Sequence, residues 1–278
     1  MSADRPPAPA PAPAPLPAAA FDSHCHLDMI ERPVPEVLEQ ARQAGITRVV
    51  TVGCDLPSSR WAADTAARHD DVFAAVAIHP NETARAAASA ADREKVLSEI
   101  SALAARPEVR AVGETGLDYY RDSAPAGIQQ EWFRAHIEIA RQAGKALMIH
   151  DRDAHEDVLR ILAQAGPPEH VIFHCFSGDA AMARRCAEAG YVMSFAGTVT
   201  FASAGPLREA AAVAPAELIL VETDAPFLTP VPNRGRPNAP AQVAHTLRAV
   251  AAVRQMPVEE LCAAIAVTGE RVFGPWGA

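Results

Sequence analysis

From about residue 20 onward, short apolar or β-branched runs alternate with longer Ala-rich segments of helical character. The runs are "AAFDSHCH", "TRVVTVG", "VFAAVAIH", "EVRAVGET", "KALMIHD", "HVIFHCF", "YVMSFAG" and "ELILVETD", and each reads as a strand. Helical candidates lie between them at 34–45, 58–69, 92–105, 127–143, 155–165, 179–189 and 205–213, with 239–255 and 258–272 after the last strand. Continuous apolar strands, each followed by a helix, imply a parallel sheet covered by helices. Eight such units in about 255 residues predict an α/β chain folded as a TIM-like (β/α)8 barrel, with an active site at the C-terminal ends of the strands. An open doubly wound sheet is the alternative. No G-x-G-x-x-G or G-x-x-x-x-G-K-[ST] follows any strand, which takes support from its nucleotide-binding versions.

No second linker interrupts residues 20–278, which read as one domain. Residues 1–19 differ: Pro and Ala alternate there, fixing φ and removing donors, so this segment is expected to be a disordered, polyproline-like tail. With 49% apolar residues in 278, the chain has ample material for a core. No apolar run approaches the roughly 20 residues that span a bilayer, and the N-terminus lacks the basic and apolar regions of a signal peptide. A cytoplasmic protein with no membrane partner is expected. The five cysteines, Cys25, Cys54, Cys175, Cys186 and Cys262, form no C-x-x-C pair and suit reduced thiols. A formal charge of −9 is the wrong sign for a broad DNA-coating face, so any nucleic acid must be gripped locally. Nothing in the sequence fixes the oligomeric state.

The ionisable residues fall systematically at strand ends. His24 and His26 end the first strand, His79 the third, Glu114 the fourth, His150 the fifth, His174 the sixth and Asp224 the eighth. Side chains alternate along a strand, so His24 and His26 share one side while Cys25 points to the other. Four imidazoles (His24, His26, His150, His174) and two carboxylates (Glu114, Asp224) are more donors than one tetrahedral ion needs and suit two ions sharing a bridging carboxylate. Glu114, midway round the barrel, is the candidate bridge. Asp22 and Glu222 share the parity of the ligands on their strands and point inward one layer below. They are candidates to orient imidazoles, with core salt-bridging as the alternative.

A lone histidine at a strand end is usually scaffold, and His79 in "AIHPNET" stands open between scaffold and site. His69, His136, His155, His170 and His245 lie in turns or helices and are expected at the surface or in packing. Cys25 and Cys175 neighbour ligands, yet period two turns both toward the helices as buried thiols.

A dinuclear site lowers the pKa of bound water and neutralises charge at an attacked carbonyl or phosphoryl centre, which is hydrolytic chemistry. A carbamylated lysine bridge is excluded, because Lys95 lies in a helix and Lys145 at the bottom of strand 5. Arg152, Ser177 with Gly178, and Arg234 with Gly235 lie in top loops and suit phosphate oxygens. With His79 they are the candidate substrate contacts. No G-x-S-x-G elbow offers a serine nucleophile.

"FDSHCHLD", "HPNE", "VGETGLDYY", "MIHDRDA", "HCFSGD" and "VETDAPFLTPVPNRGRPNAP" resemble, in order and spacing, the motifs of TatD-type metal-dependent deoxyribonucleases, from about residue 20 to the C-terminus. The resemblance implies a metal-dependent hydrolase barrel and a divalent-metal nuclease that removes nucleotides from the 3′ end of DNA, single-stranded by preference. The family's ligands fall on the six residues selected by parity. His24, His26 and Asp224 are then expected to hold one ion, His150 and His174 the other, with Glu114 between them as bridge and catalytic carboxylate. Asp224 is the expected proton acceptor for a metal-activated water. Imidazoles tolerate Zn²⁺ and Mn²⁺, and carboxylates with a phosphate substrate suit Mg²⁺. The same site could instead cleave a carboxyl ester or amide, such as an aminoacyl ester on tRNA. The complete donor set argues against a binding scaffold without turnover.

Overall fold

The computed structural model describes residues 8–86 and 89–275. Eight strands form one all-parallel sheet in sequence order: β1 (Ala20–Cys25), β2 (Ile46–Val52), β3 (Val72–Val76), β4 (Val109–Asp118), β5 (Ala146–Arg152), β6 (Val171–Phe173), β7 (Val192–Phe195) and β8 (Ile219–Val221). The helices are α1 (Val34–Gln43), α2 (Leu56–Ala66), α3 (Thr83–Ala86), α4 (Ala90–Ala104), α5 (Ala126–Ala143), α6 (His155–Ala165), α7 (Ala180–Glu188), α8 (Gly205–Val213), α9 (Val243–Arg254) and α10 (Val258–Phe273). This is the expected barrel.

The ring is closed just above the strands rather than along them. A parallel bridge pairs Cys25 with Ala225, His26 N–H donates to Ala225 O at 2.7 Å, and Asp224 N–H donates to His24 O at 2.9 Å. Beneath, buried Asp22 accepts from Thr223 N–H at 2.8 Å and from the Thr223 hydroxyl at 2.5 Å. These bonds bring the two ends of the chain's functional motifs, "FDSHCH" and "ETDAP", to one place.

Side-chain caps mark three of the helix starts. Asp55 and Ser58 cap α2 reciprocally, Ser89 accepts from Asp92 N–H before α4, and Asp179 accepts from Met182 N–H before α7. Gly144 takes the left-handed conformation that ends α5 (φ 61°). Gly116, on β4, is required by close approach: its φ is +135°, and a Cβ there would lie 2.2 Å from the His150 carbonyl oxygen. With only a hydrogen in the way, β4 and β5 keep Gly116 opposite His150.

The reading of residues 1–19 as a disordered tail is corrected for residues 8–19; residues 1–7 lie outside the described residues. The segment is extended, without strand or helix, but it is packed. Ala10, Pro13 and Leu16 are buried, the three-residue spacing of one face of a polyproline helix. A polyproline helix makes no internal hydrogen bonds, so its carbonyls are free for other donors. Gln242 Nε2 donates to Pro11 O at 2.9 Å and Arg248 Nη2 to Ala14 O at 2.8 Å, while Leu16 N–H donates to Ala44 O at 3.0 Å. Alternating Pro and Ala hid this, because a threefold face has no signature in a two-letter repeat.

Leu16→Ala should therefore lower the unfolding free energy by about 2 kcal/mol. Urea denaturation checks this, and an unchanged midpoint would mean that the segment merely lies against the barrel.

Candidate metal centre

The C-terminal mouth of the barrel is a cavity of about 890 Å³. Glu114 stands at its base, buried, and its two oxygens face different partners. Oε1 lies 3.8 Å from His24 Nε2 and 3.6 Å from His26 Nε2. Oε2 lies 2.8 Å from His174 Nε2, 3.1 Å from His150 Nδ1 and 3.6 Å from His79 Nε2. Asp224 Oδ1 adds a second carboxylate to the first group, 3.7 Å from His24 Nε2 and 3.4 Å from His26 Nε2. Asp224 is in the left-handed region (φ 53°), a strained position for a residue with a side chain and one kept mostly at functional sites.

Hydrogen bonds on the far side of each ring fix which nitrogen faces the centre. His26 Nδ1 is 3.0 Å from the Val52 carbonyl, which can only accept, so Nδ1 carries a proton and Nε2 faces the centre, 3.3 Å from His24 Nε2. His174 Nδ1 donates likewise to Glu222 Oε1 at 3.2 Å, and the same oxygen accepts from Cys175 N–H at 2.8 Å. His24 Nδ1 faces the Met148 sulfur at 3.1 Å, a weak acceptor. His150 Nε2 lies 3.2 Å from Asp118 Oδ2, which leaves Nδ1 for Glu114 and the centre. His79 is the reverse: its Nδ1 accepts from Asn81 N–H at 3.0 Å, so its Nε2 carries a proton and points as a donor toward Glu114. Three sets of donor atoms lie within 4.8 Å of one another: His24, His26 and Glu114; His24, His174 and Asp224; and His79, Glu114 and His150. Imidazole nitrogens converging on two carboxylates fit a divalent cation that takes the place of the protons between them. In the third set His79 fits poorly as a ligand while Asn81 holds its tautomer.

Electrostatics separate the rings into two groups. Burial alone would raise the Glu114 carboxyl, but the imidazoles of His174, His79 and His150 outweigh it and hold the group well below the usual carboxylate range. Burial pushes His24 well down, with His174 adding to it, and takes His79 down to about 3. His26, His150 and His174 go the other way: neighbouring acidic groups, Glu114 among them, outweigh burial and raise all three, so a cation bound there would displace protons from those rings. Burial likewise pushes the Cys54 thiol up to about 12, so it stays protonated and donates weakly to Glu114 Oε1 at 3.5 Å.

All six expected ligands meet here, although His26, His174 and Asp224 come just after their strands end. Of the expected substrate contacts, His79, Arg152 and Ser177 line the cavity. Arg234 is not brought to it; its guanidinium lies over the Phe201 ring, 4.2 Å from the centroid. Glu222 orients His174 as anticipated, whereas Asp22 touches no imidazole and serves ring closure. Cys25 does point away, its Sγ 3.5 Å from Val50 O. The reading of Cys175 is corrected: β6 stops at Phe173, alternation no longer applies, and Cys175 lines the cavity with φ 41°. His136 is buried packing, bonded to Thr115 Oγ1 at 2.8 Å.

Sequence reasoning missed Asp118, Asn81, Cys54 and the mouth residues Arg85, Arg121 and Phe227. Asp118 had a usable signal, since it stands four residues after Glu114 on a strand that was ended too early, at Thr115. Cys54 had a weaker one, directly after "TVG" at the top of a strand with no other ligand. The mouth residues have none, because loops set their direction.

If Asp118 and Glu222 hold the rings in their metal-binding tautomers, Asp118→Asn and Glu222→Gln should each weaken Mn²⁺ or Zn²⁺ binding about 10- to 100-fold with unchanged circular dichroism. Isothermal titration calorimetry reads this directly; wild-type affinity in both variants would remove the orienting role.

Comparison with known proteins agrees with this geometry. Residues 21–274 match the family model described as TatD related DNase. The chain is 44% identical over 262 residues to a Mycobacterium tuberculosis protein named "Uncharacterized metal-dependent hydrolase TatD", covering 91% of this chain and 97% of that one. It is 37% identical over 257 residues to the Bacillus subtilis metal-dependent hydrolase YabD, covering 91% and 98%. The crystal structure of the Escherichia coli TatD homolog YJJV superposes with a TM-score of 0.85 at 26% identity, covering 92% of this chain and 98% of that one. With a family model matched from the first strand to the last helix and six expected ligand side chains gathered at the barrel mouth, the chain belongs to the TatD family of metal-dependent hydrolases.

Proposed function

We propose that this enzyme is a divalent-metal-dependent deoxyribonuclease acting as a 3′–5′ exonuclease on single-stranded DNA, in a reducing, cytosolic compartment. The observation that carries the reading is Glu114, with one oxygen toward His24 and His26 and the other toward His150 and His174. A carboxylate so placed suits a bridge between two ions, one held with His24, His26 and Asp224 and the other with His150 and His174. Mg²⁺, Mn²⁺ or Zn²⁺ bound there supply Lewis acidity and water of lowered pKa.

The protein's own groups then have separable tasks. Asp224, less buried than Glu114 and facing the cavity, accepts the proton of the attacking water. His79 presents an N–H toward the same space and donates to a phosphoryl oxygen. Arg85, Arg121 and Arg152 line the mouth and supply local positive charge in a chain of net charge −9. Phe227, 51% exposed on the cavity wall, and Tyr120, 64% exposed with Arg152 over its ring at 3.9 Å, offer flat faces on which unpaired bases stack. Cations beside exposed rings favour a single strand over a duplex.

The purified protein with Mg²⁺ or Mn²⁺ should shorten 3′-labelled single-stranded DNA, more slowly digest duplex, and stop on addition of chelator. Asp224→Asn should lower kcat at least about a hundredfold while leaving the fold intact, and Glu114→Ala should abolish digestion. Aminoacylated tRNA assayed in parallel distinguishes the ester-hydrolase alternative: deacylation without DNA shortening would replace the nuclease reading.

A further inference from the structure

The opposite end of the barrel carries a second cavity, of about 480 Å³, far along the strands from the metal centre. Its walls include Arg110 near the start of β4, Lys145 just before β5, His170 just before β6, Arg141 in the last turn of α5 and Arg271 in the last turn of α10. Glu169 is the one carboxylate in the lining, and it stands 3.9 Å from His170 Nε2. Arg141 is paired with Glu138. Among the described residues, no carboxylate lies within 4.0 Å of the cationic nitrogens of Arg110, Lys145 or Arg271. Glu108, near Lys145, is taken by Arg106 at 2.5 Å.

These three cations are held in place by backbone rather than by counter-charge. Arg110 Nη1 donates to Phe273 O at 3.3 Å, Lys145 Nζ to Arg106 O at 3.4 Å and Arg271 Nη2 to Glu217 O at 2.7 Å. The Arg110 guanidinium lies 4.4 Å from the Phe73 ring centroid, and its Nε is buried with no hydrogen-bond partner among the described residues. Burial depresses both Arg110 and Lys145, and the charge of Arg110 depresses Lys145 further, so the two repel across the cavity. In a chain of net charge −9 this is a fixed pocket of like charge, a standing cost that an anion removes. Pro167 and Pro168 border the same cavity, and its volume falls in the range of small-molecule sites, beyond what a bare oxyanion fills.

We propose that this cavity binds a small phosphorylated organic molecule, its phosphate held by Arg110, Lys145 and Arg271 and its body against the Pro167–Pro168 wall. Arg110, Lys145 and His170 stand at the feet of β4, β5 and β6, whose tops carry Glu114, His150 and His174. An anion at the feet therefore ties the same three strands from the other end. A concavity of this size on an otherwise acidic molecule suits a small molecule better than a polynucleotide, which needs a continuous basic stripe.

The test uses the full chain made metal-free with chelator, so that the metal centre cannot hold phosphate. Inorganic phosphate, pyrophosphate and 5′-AMP are titrated calorimetrically at low salt, alongside melting temperature. Saturable binding of 5′-AMP, tighter than that of inorganic phosphate, is expected, with a dissociation constant below about 1 mM. Lys145→Met and Arg271→Met should each raise it at least tenfold, with turnover of DNA by the metal-loaded protein unchanged in Lys145→Met, while Asp224→Asn leaves 5′-AMP binding as in wild type. Absence of saturable binding to metal-free wild type overturns the proposal, and that result does not depend on any variant folding. Binding lost in Asp224→Asn but kept in Lys145→Met also overturns it, by locating the anion at the barrel mouth. Preference for inorganic phosphate over 5′-AMP would remove the organic body from the assignment.

Discussion

The rest of the structure depends on one buried carboxylate, Glu114, whose two oxygens are approached by imidazoles from both sides. Burying an ionised carboxylate is costly unless partners compensate for the lost water. Here the compensation comes from His174 and His150 at Oε2 and from the Cys54 thiol at Oε1, with His24 and His26 just beyond. Rings so close together cannot all be protonated, which is why burial and mutual repulsion keep His24 neutral. His26, His150 and His174 are raised instead by the acidic groups beside them, so the fold places positive charge around Glu114 where a divalent ion would replace it.

Everything else serves to bring those side chains to one place. A parallel barrel puts every strand's C-terminal end on one face, so residues as far apart in sequence as His24 and Asp224 become neighbours. The ring closes where the function lies, through backbone bonds between His24, His26, Asp224 and Ala225, with Asp22 clamping Thr223 beneath. Gly116 lets β4 run close against β5, so that Glu114 and Asp118 reach opposite edges of the same ring of His150. Outside the barrel, residues 8–19 lay a threefold apolar face against the body of the protein and lend their carbonyls to Gln242 and Arg248.

Much of this was legible in the sequence because strand periodicity is rigid. Two histidines flanking a cysteine on β1 must diverge from it, and Cys25 does turn to Val50. The rule loses force where the strand ends. Cys175 lies beyond β6 and swings into the cavity, and Arg234, in a loop, is drawn onto Phe201 instead of the mouth. Asp118 went unseen because apolar alternation fades after Thr115 while the strand continues by hydrogen bonds to β5. The packing of the Pro/Ala segment depends on its fit to distant side chains, which no local pattern encodes. Tautomers were likewise invisible: His79 and His150 look alike in sequence, yet Asn81 and Asp118 give them opposite roles.

Crystals grown with Mn²⁺ and measured near the manganese absorption edge test the central role of Glu114 most directly. Two anomalous peaks are predicted, one on the His24 and His26 side of the Glu114 carboxylate and one on the His150 and His174 side. A single peak, or peaks that leave Glu114 uncoordinated, would contradict it.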